Sequence, residues 1–197
     1  MTTRGASQLN ERTRKYILPP DLSTWIDKRN LALLVSRIVQ RVDDSKLQVA
    51  GFTAGGESPQ PRTMLTLLTF CYAAGISGSQ KIRRCCDEDK TLGYLCANHP
   101  PESALICQFR RLHRQVIEQC LEKVFLVVWK TRVGTWHGKQ LNQQNNSTCA
   151  IGCRIDPLLQ KQITFEVTDR LDKAERLDAG KFDVRANDYP PPYVDRS

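Results

Sequence analysis

The residues whose types could do chemistry gather in one stretch, 77–114. Lys81, Arg83 and Arg84 surround Ile82, and Arg110, Arg111 and Arg114 follow in the run FRRLHR. A guanidinium fork donates paired hydrogen bonds to phosphate oxygens or to a guanine edge, so two arginine clusters on neighbouring helices suit duplex DNA. Charge distribution points the same way. The 197-residue chain has a formal net charge of +8 and a sequence pI of about 9.2. Residues 61–132 carry eleven basic and six acidic groups, and residues 1–20 carry four and one. Residues 21–60 and 133–197 balance. The surplus therefore lies in the amino-terminal arm and the middle, where it favours approach to a polyanion through counterion release.

Other chemistries find little support. There is no phosphate-cradling glycine loop, no H-E-x-x-H and no G-x-S-x-G. No catalytic residue is assigned. The eight cysteines, Cys71, Cys85, Cys86, Cys96, Cys107, Cys120, Cys149 and Cys153, are even in number. Without a secretory signal they read as reduced thiols, several on apolar helix positions, rather than a disulfide framework. Cys149 and Cys153 alone have ligand-like spacing, and a structural zinc needs four ligands. His99, His113 and His137 are scattered. No metal site and no cofactor are expected. No apolar run approaches the ~18–20 residues of a membrane span, which leaves a cytoplasmic, nucleoid-associated protein as the expectation.

The elements that must position these residues read as helices throughout. Asp21 and Asp27 are capping residues, the second ahead of Leu31, Leu34, Val35, Ile38, Val39 and Val42 at spacings of three and four. Pro61 suits a first helical position, and the helix to Ala74 is apolar nearly all round, so it is expected at the centre; Gly75 stops it. A helix over 80–86, a short piece around Leu92–Cys96 and a helix from Ser103 form a trihelical unit of helix-turn-helix size. In the last of these, Leu105, Ile106, Phe109 and Leu112 are expected inside and Arg110, Arg111 and Arg114 in solvent. A long helix continues to about Gly134. Residues 135–156 read as a polar linker. Asp156-Pro157 opens an amphipathic helix over 157–180, with Leu159, Ile163, Val167, Leu171, Ala174 and Leu177 inward and Asp169, Arg170, Asp172, Lys173, Glu175 and Arg176 outward. The expected fold is all-α, a helical bundle containing the trihelical unit, with disordered ends at 1–16 and 181–197.

Three stretches carry a family resemblance: ILPPDLSTWIDKRNLALLVSRIV, PQPRTMLTLLTFCYAAGISGSQKIRRCCDEDKTLGYLCAN and PPESALICQFRRLHRQVIEQCLEKVF. In order and spacing they resemble the N-terminal helical domain of bacterial insertion-sequence transposases of the DDE type, over roughly residues 16–132 within a domain of 17–134. The resemblance implies a domain that binds the ends of a mobile element in transposition and DNA recombination. It also implies a following catalytic domain with three carboxylates. His137, in WHGKQL, stands where the first of those aspartates is expected, and a neutral imidazole lacks the anionic oxygen that magnesium prefers. The expectation is a truncated transposase that binds double-stranded DNA through Lys81, Arg83, Arg84, Arg110, Arg111 and Arg114 without cutting it. The alternative is an interaction module that forms homo-oligomers, or mixed inhibitory oligomers with full-length transposase, through the apolar faces of 115–133 and 157–178.

Overall fold

Two proline-led segments set the start of the fold and the start of its central helix. The computed structural model describes residues 18–47, 60–136 and 156–182. The expectations for 1–16, for His137, for Cys149 and Cys153, and for most of the linker and tail fall outside them. Asp21 caps a 3-10 turn over Leu22–Thr24, accepting from the Ser23 N–H at 2.7 Å. Asp27 then caps helix α1, Lys28–Val39, accepting from the Arg29 and Asn30 N–H groups. A second 3-10 turn spans Asp44–Leu47. Helix α2, Pro61–Ala73, begins on its proline, whose missing N–H costs nothing in a first turn. Helices α3, Ser79–Glu88, α4, Lys90–Leu95, and α5, Ser103–Trp136, follow, and α6, Pro157–Phe182, closes the described chain. Among the described residues the structure is all helical, with no strand.

The core is built around α2 and α5. Met64, Leu65, Leu67, Leu68 and the run Thr69–Ala73 of α2 are all buried, which is why that helix is apolar on nearly every side. It packs on α1 and α5, and α5 packs in turn on α1, α3 and α6. Ile117, Cys120, Leu121, Val124, Phe125 and Val128 make the inner stripe of α5, and Leu159, Ile163, Val167, Leu171 and Ala174 that of α6. The α6 stripe therefore belongs to the same core as 18–136 and does not stand apart from it. Tertiary side chains close the helix ends. Arg62 donates to the carbonyl of Val39, the last residue of α1, and to that of Val42 just beyond it. Gly75, at φ 70°, ends α2 so close to the chain that a Cβ would lie 2.4 Å from the Pro20 carbonyl oxygen.

Helix α5 is bent. His113 leaves helical geometry at φ −114° and ψ 19°, dividing α5 into Ser103–Leu112 and a longer second half. The His113 ring is buried and packs, tilted, against Phe109 with centroids 4.4 Å apart. The first half, with α3 and α4, makes the trihelical unit; α3 packs on both partners.

The six described cysteines are free thiols, and all but Cys85 are buried. Burial pushes the Cys71 thiol well above its ordinary value, Cys86 up to about 12 and Cys120 up to about 11. Thiolate is the reacting species, so these groups are unreactive in the folded protein. Brief iodoacetamide treatment at pH 8 followed by peptide mass mapping should mark Cys85 well ahead of the other five. Equal labelling of Cys71 and Cys85 would mean the core is open.

Candidate nucleic-acid interface

The six cations expected at a DNA surface divide into two groups. Arg110 is 1% exposed and lies in the core. Its Nη2 donates to Asp178 Oδ2 at 2.5 Å and its Nη1 to the Tyr72 hydroxyl at 3.1 Å. Asp178 also accepts from the Ser79 N–H at 2.9 Å, the Ser79 hydroxyl at 3.0 Å and the Cys107 thiol at 3.3 Å. Thus a carboxylate from α6 caps α3, whose own cap position, Gly78 at φ 85°, has no side chain to offer. Burial alone raises the Asp178 carboxyl pKa, but the hydrogen bonds from Arg110, Ser79 and Cys107 outweigh it and hold the group below its ordinary value. The expected solvent position of Arg110 is corrected: a guanidinium enclosed this way reaches no phosphate.

Arg114 is also drawn inward. It is 29% exposed and bonds Glu118 at 3.0 Å, Asp172 at 2.5 Å and Glu175 at 2.8 Å. Its positive charge is matched by three carboxylates, two of them from α6, so it holds α6 to α5 and is not available to DNA. The face predicted for the first half of α5 is rotated. Leu112, expected inside, is 52% exposed, while Arg110 and His113 take the inner positions with Ile106 and Phe109.

On α6 the outward expectation also fails for Arg170. It is buried, with Nη1 donating to the Tyr72 and Ala73 carbonyls at 2.6 and 3.1 Å and Nη2 to the Pro19 carbonyl at 2.6 Å. Its Nε bonds Glu166 at 3.0 Å, and its guanidinium lies 4.6 Å from the Phe125 ring centroid. One side chain therefore closes the carboxyl end of α2 and ties the amino-terminal segment to the last helix. Burial pulls its pKa below the ordinary arginine value against the opposing effect of Glu166. Leu177, expected inward, is exposed, and Asp178 faces the core beside it.

The second group stays in solvent. Lys81, Arg84 and Arg111 are exposed, and among the described residues no ion pair holds them. Arg83 is intermediate, its Nη1 bonded to Asp87 at 2.6 Å one turn along α3. Such an exposed pair is weak and exchangeable. Of the six, the cations that the structure leaves in solvent without an ion pair are therefore Lys81 and Arg84 on α3 and Arg111 on the first half of α5, on helices packed against each other.

Sequence spacing held a signal that was missed. Asp178 continues the stripe Ile163, Val167, Leu171 and Ala174 by one more turn, and Arg110 falls between Ile106 and His113. Opposite charges on the apolar stripes of two helices point to a buried pair. The apolar faces of 115–133 and 157–178, considered as an oligomer interface, are mostly packed inside the chain; Leu158, Phe165 and Leu177 are left exposed on α6 and Val127 on α5. Among the described residues, no group of three or more His, Cys, Asp or Glu is arranged to hold a metal, and no helix is long and apolar enough to cross a membrane. Comparison with protein-family models, with curated proteins and with solved structures returns no match.

Proposed function

We propose that this chain is a transposase-related DNA-binding protein that holds duplex DNA through the trihelical unit α3–α4–α5. Lys81, Arg84 and Arg111 are its DNA-facing cations. The observation that carries the reading is selective exposure. Arg110 and Arg114 are consumed by α6 carboxylates, while these three remain in solvent within the segment that holds most of the chain's positive surplus. Cations without carboxylate partners can exchange counterions for phosphates. The family resemblance over 16–132 supports the same reading and supplies its biological setting, the ends of an insertion element. Strand cleavage by this chain is no part of the proposal.

The test is fluorescence anisotropy with a random 25-base-pair duplex across a salt series. Binding should weaken steeply with salt, and log K against log[salt] should be linear. Replacing Lys81, Arg84 and Arg111 together by alanine should flatten that line by about two counterions, at roughly 0.9 for each phosphate that Lys81 and Arg84 contact. Replacing Arg83 alone should change it little. No binding at 50 mM salt, or an unchanged slope in the triple variant, refutes the reading.

A further inference from the structure

On the first half of α5, Ala104, Gln108 and Arg111 recur at spacings of four and three. At 100° per residue they fall within an arc of roughly 60°, opposite Ile106, Phe109, Arg110 and His113. All three are exposed, and the four opposite them are buried. Among the described residues, the side chains of Gln108 and Arg111 make no hydrogen bond or ion pair. Between Glu102 and Glu118 the sequence has no carboxylate, so nothing on this face repels a polyanion. Leu112 lies beside Arg111, exposed although apolar. After it, the bend at His113 turns the helix from its first direction, which limits the straight reading surface to Ser103–Leu112.

We infer that this face enters the major groove of duplex DNA and reads base edges, with Gln108 and Arg111 as the specificity-determining residues. The inference rests on the duplex-binding reading and adds sequence recognition to it. The chemistry of the face is directional. A glutamine amide pairs with adenine N6 and N7, an arginine fork with guanine O6 and N7, and an apolar side chain such as that of Leu112 meets a thymine methyl. Ala104 has only a methyl group, which lets the start of the helix approach the groove floor. From Ala104 to Arg111 the helix rises about 10 Å. With base pairs 3.4 Å apart, the face covers about three of them. Gln108 and Arg111 stand about 4.5 Å apart along the axis, so they address neighbouring pairs. Lys81 and Arg84, on α3, position the protein on the backbone and carry no sequence information.

The experiment is selection from a randomised duplex library with the full chain, followed by anisotropy on the enriched and a scrambled duplex. The expected result is a motif with an adenine and a guanine in neighbouring pairs. Gln108→Ala should weaken the enriched duplex about tenfold while leaving the scrambled one unchanged, and should relax preference at the adenine only. Arg111→Lys should keep scrambled-duplex binding and lose the guanine preference. Lys81→Ala with Arg84→Ala should weaken both duplexes equally. These positions are exposed, so thermal melts of the variants should overlay the parent. Duplex binding with no enriched motif overturns the inference and leaves the duplex-binding reading intact. So does a motif that Gln108→Ala and Arg111→Lys both preserve. No binding to either duplex at low salt overturns both.

Discussion

Asp178→Ala should destabilise the fold by about 3–5 kcal/mol, the usual cost of breaking a buried ion pair by removing one partner. The loss has two sources. The Arg110 charge stays in the core without its carboxylate, and the Ser79 N–H at the start of α3 loses its acceptor. Urea unfolding followed by circular dichroism at 222 nm measures it. Arg110→Met combined with Asp178→Leu should recover much of the deficit, because the double change leaves no unpaired charge. A single variant within about 0.5 kcal/mol of the parent would show that the pair does not hold α3, α5 and α6 together. The pH dependence has a definite sign. Asp178 is held below its ordinary value when folded. Its contribution is therefore complete above the unfolded-chain carboxyl value of about 3.9 and lost as pH falls through the lower folded value. The parent should lose this stability only below about pH 4, and Asp178→Asn should lack that part of the acid transition.

Ending the chain at Asp156 should abolish cooperative unfolding. The four large apolar side chains Leu159, Ile163, Val167 and Leu171 are buried on α6. At about 1.5–3 kcal/mol each they contribute on the order of 6–12 kcal/mol, against about 5–15 kcal/mol for a whole domain. The same cut removes Arg170, which satisfies three carbonyls of 18–73, and Asp178, the cap of α3. Differential scanning calorimetry should show no heat-absorption peak for 1–156, and a hydrophobic dye should bind strongly. A sharp peak at the parent temperature would mean that α6 only decorates a domain complete without it. The result also bears on DNA binding. Arg110 and Arg114, freed from α6, would sit in an unfolded chain rather than on an organised surface, so 1–156 should bind duplex without sequence preference.

Local chemistry made much of the architecture legible. Asp21, Asp27 and Asp156 each cap the helix or turn expected of them, Pro61 starts α2, and Gly75 ends it. These signals act over two to four residues, so reading them needs no knowledge of the rest of the chain. The stripes of α1, α2 and α6 were legible for a related reason: apolar spacing states which side of a helix must leave water. The limit came at the phase of a stripe. Leu112 and Arg110 compete for the inner side of α5, and hydrophobicity alone selects Leu112.

By itself, then, the sequence determined an all-helical chain, the starts of its capped helices, most but not all of the apolar residues that leave water, and where positive charge accumulates. Only the tertiary structure decided which of those charges face solvent. Arg110 meets Asp178 across 68 residues, and Arg170 meets the Pro19 carbonyl across 151. A charge is worth burying only when a partner with the right geometry is already there, and that depends on how distant helices pack. The same contacts leave Arg111 facing outward between two arginines that do not.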